Sequence, residues 1–105
     1  MSKSFDKQKI YDILLTVPYG RVITYGMLAE MLGNKRNARA VGNALHKNPD
    51  GDKYPCYKVV NSKGELSRAY AFGGIDEQRR RLETEGIVVI YNKVDLKKYA
   101  IEKYE

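Results

Sequence analysis

Residues 24–46, TYGMLAEMLGNKRNARAVGNALH, decide how this chain folds. Thr24 is a helix N-cap, because a threonine oxygen can accept a backbone N–H of the first turn. Met27, Leu28, Met31 and Leu32 then fall on one face at helical spacing, and Gly33-Asn34 ends the run. Asn37 can cap a second helix over about 38–46, whose apolar stripe is Val41, Ala44 and Leu45. Its other face is small or basic: Ala38, Arg39, Ala40 and Gly42. Two helices joined by a few residues, the second with small residues and a cation outward, read as a helix-turn-helix over about 24–47.

The flanks extend that unit. Ile10, Ile13, Leu14 and Val17 predict an amphipathic helix over 5–17, capped by Ser4 and ended by Val17-Pro18-Tyr19-Gly20. Tyr54 to Val60 is a short β-prone run, with Cys56 near its start. Gly73-Gly74 precedes a charged helix over about Asp76 to Glu85, stopped by Gly86. Ile87 to Tyr91 reads as a strand, turning at Asn92-Lys93 into Val94-Asp95-Leu96 as a short C-terminal β-hairpin. The alternating Lys, Tyr and Ile of the last ten residues predict no element.

The 105 residues suffice for one domain, 1–105, and a chain this size buries roughly 60–70% of its unfolded surface. No stretch approaches the ~18 apolar residues of a membrane span, and MSKSFDKQKI lacks the apolar core of a secretory signal. One cysteine allows no internal disulfide, consistent with a reducing, cytoplasmic setting. One cysteine and one histidine cannot form a four-ligand Cys/His zinc site, and no motif calls for a metal or another cofactor. Nineteen Lys and Arg against thirteen Asp and Glu leave a net charge of +6. Lys35, Arg36, Arg39, Lys47, Lys53 and Lys58 face only Asp50 and Asp52 between residues 34 and 58. Such a basic stretch fits phosphate contacts, or simply a solvated face. Cys56 alone reads as a nucleophile or a small buried hydrophobe. Arg39 alone reads as a phosphate contact, a base-edge reader, a wedge or a solvated charge.

These features occur in one order, and that order resembles the DNA-binding and active-site domain of the O6-alkylguanine-DNA alkyltransferases and their alkyltransferase-like relatives. The resemblance is carried by Val17-Pro18-Tyr19-Gly20-Arg21-Val22-Ile23-Thr24-Tyr25, Leu28-Ala29 and Ala38-Arg39-Ala40-Val41-Gly42. It continues through Asn48-Pro49, Pro55-Cys56-x-Lys58-Val59-Val60, Gly73-Gly74 and Leu82-x-x-Glu85-Gly86, covering roughly residues 5–90. It implies a small α/β domain of winged-helix-like alkyltransferase C-terminal fold, with an active-site segment at 55–60.

The resemblance also implies roles. The helix-turn-helix would enter the minor groove of double-stranded DNA, with Ala38, Ala40 and Gly42 allowing close approach and Lys35 and Arg36 adding charge. Arg39 would fill the stack vacated by a flipped O6-alkylguanine. Tyr25 would turn the target phosphate and protonate the leaving guanine, and Asn48 would join helix to active-site segment. Cys56 would accept the alkyl group irreversibly. Pro55, Val59, Tyr70 and Phe72 would form the base pocket, although Tyr70 and Phe72 equally suit the core. The family's Cys–His–Glu relay is broken, because Tyr57 stands where histidine is usual, while Glu85 is present. A Tyr57 hydroxyl linking Cys56 to Glu85, or Lys58 favouring the thiolate, are the alternatives. His46, on the recognition helix, is not expected to reach Cys56. Three readings follow: a single-turnover transferase, a lesion sensor without transfer that hands over to other repair proteins, and a plain DNA-binding protein. Each is expected to act as a monomer, in the cytoplasm or nucleoid of a prokaryote or in a eukaryotic nucleus.

Overall fold

The computed structural model describes residues 7–33, 38–67 and 70–101. Helix α1 spans Lys7–Leu14 and buries Ile10, Tyr11 and Leu14. It stops three residues short of the expected end. Thr16 N–H and Val17 N–H bond to carbonyls three residues back, and the residue before Pro18 avoids helical backbone. Ser4, Asn34 and Asn37, named above as helix-end residues, lie outside the described residues.

Strand β1 (Ile23–Thr24) leads directly into helix α2 (Tyr25–Met31). Thr24 is extended, and its hydroxyl oxygen accepts the Met27 N–H at 3.0 Å, as its position predicts. Gly33 turns the chain at φ +103°. Helix α3 (Ala38–His46) packs across α2 and α1 through Val41, Ala44 and Leu45, and the Tyr11 hydroxyl donates to the Ala44 carbonyl.

The Tyr54–Val60 segment departs from expectation. Cys56–Lys58 form a 3-10 turn, and only Val59–Val60 make strand β2. β2 runs parallel to β1, with Ile23 opposite Val59 and Thr24 opposite Val60. Side chains alternate across a strand, so this short ladder divides two cores. Ile23 and Val59 face the core of α1, α2 and α3. Val22 and Val60 face a second core with Leu66, Leu82, Ile87, Val94 and Tyr99.

Helix α4 (Gly74–Thr84) begins two residues earlier than predicted and ends before Gly86, at φ +81°. Its exposed side carries Arg–acid pairs three and four residues apart. The expected strand Ile87–Tyr91 does not form a ladder. Tyr91 and Asn92 both adopt positive φ, and the hairpin reduces to one exchange of hydrogen bonds between Ile90 and Lys93. The return arm is taken elsewhere: Val94 N–H bonds to the Gly64 carbonyl, and Asp95 caps helix α5 (Leu96–Tyr99). Beyond α5 the chain docks beside β1, where Val22 exchanges backbone hydrogen bonds with Tyr99 and Ile101.

Glu85, at the end of α4, ties these parts together. One carboxylate oxygen accepts the Gly20 N–H at 2.8 Å and the Lys58 ammonium at 2.9 Å, and the other accepts the Tyr57 hydroxyl. Lys58 also donates to the Pro18 carbonyl at 2.7 Å. Burial works to raise the Glu85 pKa, but hydrogen bonds from Tyr57, Gly20 and Lys58 prevail and hold it below the ordinary value. Its contribution to stability is therefore complete above the unfolded carboxylate pKa of about 4.3 and is lost as pH falls through the lower folded value. Glu85→Gln leaves the Lys58 ammonium buried and is expected to cost about 3 kcal/mol in urea unfolding at pH 7. It should also flatten the stability profile below about pH 4.5. A variant as stable as wild type at pH 7 would contradict this role.

Candidate functional site

Helix α3 turns one face away from the core. Arg39, Gly42 and His46 recur at three- and four-residue spacing, so they share that face. All three border a cavity of about 490 Å³, with Leu45 beneath them. Tyr25, at the start of α2, supplies one wall. Cys56 and Val59 line it from the 3-10 turn and β2, while Ser67, Tyr70, Ala71 and Gln78 close the far side. The volume lies in the range of small-molecule pockets, and an arginine stands at an exposed position on its rim.

Sequence reasoning thus places Arg39, Tyr25, Gly42, Cys56, Val59 and Tyr70 around one space. His46, on the same face of α3, also borders this cavity. The rest of the expected set lies elsewhere. Pro55 is half-buried behind the turn, where its carbonyl accepts the Lys58 N–H. Phe72 is drawn away from the cavity: its ring covers Gly51 so closely that a Cβ there would meet it at 2.7 Å. Ala40 is half-buried and does not border the cavity. Lys35, Arg36 and the Ala38 side chain lie outside the described residues.

Asn48 is buried where α3 passes into the turn. Its amide nitrogen donates to the Tyr54 carbonyl at 2.8 Å, and its oxygen accepts the Asp50 N–H at 3.0 Å. It joins the recognition helix to the segment carrying Cys56. The Cys56 side chain is 6% exposed. Burial pushes its thiol pKa up, against weaker opposing effects of the Asn48 side chain, the turn's own backbone and the Arg81 charge. Such a thiol is mostly protonated at neutral pH.

Neither expected activator faces Cys56. The Tyr57 hydroxyl donates to Glu85, and Tyr57 borders a separate depression with Tyr19, Arg81 and Glu85. Burial first, then the Glu85 hydrogen bond and charge, push the Tyr57 pKa up, so it remains a donor and not a base. Lys58 is buried against Glu85 and the Val17 and Pro18 carbonyls, which accounts for its charge.

Gln78 is a residue the sequence reading missed. It is 1% exposed on α4. Its amide nitrogen donates to the Tyr57 carbonyl at 3.0 Å and the Val59 carbonyl at 3.1 Å, and its oxygen accepts the Ser67 N–H at 2.8 Å. One side chain thus pins both sides of the cavity. The only local signal was a glutamine on the stripe that also carries Leu82. Gln78→Leu would remove three hydrogen bonds to the backbone of Tyr57, Val59 and Ser67, and an expected loss of about 2–3 kcal/mol should appear as a lower urea midpoint. Unchanged stability would mean that water replaces the amide without cost.

A helix pair whose exposed face opens onto a thiol-lined cavity has the shape expected of a nucleic-acid-binding protein that takes up one extruded base. The family comparison agrees: the model for the 6-O-methylguanine DNA methyltransferase DNA-binding domain matches residues 6–87, and the chain belongs to that family. It is 43% identical over 96 residues to a bifunctional methyltransferase/endonuclease of Picrophilus torridus, covering 91% of this chain and 32% of that one. It is 40% identical to a DNA base-flipping protein of Vibrio parahaemolyticus, covering 87% and 90% of the two chains. The Schizosaccharomyces pombe protein Atl1, solved with damaged DNA containing O6-carboxymethylguanine, superposes with a TM-score of 0.80 at 33% identity. That match covers 91% of this chain and 94% of Atl1.

Proposed function

We propose that this protein binds O6-alkylguanine in double-stranded DNA, holding the extruded base in the cavity that Cys56 lines. The observation that carries the reading is the α3 face: Arg39, Gly42 and His46 open onto the same space as Tyr25 and Cys56. A base bonded through O6 to an alkyl group is out of reach inside the stack, and a damaged pair is cheaper to open. Arg39, exposed at the cavity rim, would enter the vacated place from the groove. The base-flipping relative and the Atl1 complex with damaged DNA support this reading. Arg39→Ala should weaken binding to a duplex containing O6-methylguanine by about tenfold or more, since loss of a wedge costs more than ~1.4 kcal/mol. Lys53→Ala, which removes one exposed charge, should cost about twofold. Equal losses in fluorescence anisotropy would remove the wedge role.

A second reading, transfer to sulfur, is favoured by the thiol in the cavity wall. The thiolate would displace guanine O6 from the alkyl carbon, and Tyr25 would supply the proton. This step would be slow at neutral pH, since burial pushes the Cys56 pKa up and Glu85 is bonded to Tyr57, Lys58 and Gly20. Intact-protein mass spectrometry after incubation with the O6-methylguanine duplex distinguishes the two. Binding without transfer leaves the mass unchanged. Transfer adds one methyl group at Cys56, absent in Cys56→Ser, and its rate rises with pH through the alkaline range as the thiolate fraction grows.

A further inference from the structure

Between residues 88 and 91 the chain keeps large apolar side chains in water. Val88 is 54% exposed, Ile90 62% and Tyr91 97%. Single exposed apolar residues are ordinary, but three along one short stretch make a patch. Ile87 and Val89 turn towards the second core, so Val88 and Ile90 share the outer face. The stretch has a strand's alternation, and no ladder partner covers it among the described residues. With Tyr91, Lys93, Lys98 and Tyr99, Val88 and Ile90 line a cavity of about 500 Å³. It shares no lining residue with the Cys56 cavity.

The turn at the end of this stretch runs against local preference. Tyr91 and Asn92 have φ of +53° and +58°, and Ile90 and Lys93 exchange two backbone hydrogen bonds across them. A two-residue turn with both φ positive favours asparagine and glycine over an aromatic residue. The Tyr91 ring gains no burial in return. Yet the turn is braced: Asn92 Oδ1 accepts the Arg79 guanidinium from α4 at 2.7 Å, and the Asn92 carbonyl accepts the Leu66 N–H at 3.0 Å. An aromatic ring held in solvent on a fixed support is a contact waiting for a partner.

Charge indicates which partner. Between residues 88 and 101, Lys93, Lys97 and Lys98 face only Asp95, whose carboxylate accepts the Lys97 N–H as the cap of α5. The Arg21 guanidinium adds a cation, donating to the Lys98 carbonyl at 2.9 Å. Glu65, across from Lys93, is bonded to the Asn61 amide. A second copy of this chain would bring the same cations against these, in a molecule of net charge +6. An acidic segment meets no such repulsion.

We propose that the 88–99 face is a docking surface for another protein, and that its occupant is an extended segment alternating acidic and apolar side chains, laid along Val88–Ile90 as an added strand. Its apolar side chains fill the cavity beside Ile90 and Tyr91, and its carboxylates meet Lys93 and Lys98. The inference does not depend on the lesion-binding reading.

The test is selection from a random dodecapeptide library, displayed on phage, against the full chain. Enriched peptides are expected to alternate aspartate or glutamate with apolar residues. In fluorescence anisotropy, Ile90→Ser should weaken them about tenfold. Tyr91→Asn should do the same while melting at or above the wild-type temperature, because asparagine suits the turn. Lys98→Glu should weaken them most at low salt. The proposal is overturned if nothing is enriched over an Ile90→Ser control, if the enriched peptides lack acidic residues, or if both apolar variants bind them as wild type does. Displacement of the peptides by an undamaged duplex would instead assign the face to DNA. A dimer in analytical ultracentrifugation that Ile90→Ser dissociates would assign it to a second copy, and either result overturns the proposal.

Discussion

The Glu85 carboxylate receives an ammonium, a phenol and a backbone N–H inside the protein, from two parts of the chain remote from it. Lys58 and Tyr57 belong to the turn that carries Cys56, Gly20 closes the loop after α1, and Glu85 itself ends α4. The ion pair is shielded from water, so it gains strength from the low local dielectric and would be costly to break from one side. Its arrangement sets where the 56–58 turn sits relative to α4. From there Gln78 bonds the carbonyls of Tyr57 and Val59, and the cavity wall follows.

That arrangement also explains what tyrosine does at position 57. An imidazole there could pass a proton between a thiol and a carboxylate. A phenol with a raised pKa can only donate, and here it donates to Glu85. Tyr57 therefore strengthens the structural knot and leaves Cys56 without a base among the groups expected to supply one. The cavity is bordered by Arg39, Gly42 and the Cys56 thiol.

The cavity mixes two kinds of surface. Its apolar lining, from Leu45, Val59 and Ala71, suits a planar base and alkyl carbon. Its polar side chains include Arg39 at the rim, with Tyr25, His46, Ser67 and Gln78 around it.

Much of the helical part was legible because helices declare themselves locally. Thr24 caps α2 through its own side chain three residues on, the 3.6-residue period separates Val41 and Ala44 from Arg39 and Gly42, and Gly33 and Gly86 turn the chain as placed. The ordered motifs around Tyr25, Arg39, Asn48 and Cys56 were legible as a resemblance to a family to which the chain belongs. Tertiary structure decided the rest. Ile87–Tyr91 has the composition of a strand, but strands need a partner, and Val94 pairs with Gly64 instead. Cys56 sits in a 3-10 turn because Lys58 is drawn to Glu85 and Pro18, contacts no local window contains. The bridging role of Gln78, the diversion of Phe72 onto Gly51 and the arrival of His46 at the cavity all depend on pairs far apart in the chain. Periodicity and capping are properties of neighbours along the sequence, whereas the destination of a buried polar side chain depends on what the fold brings beside it.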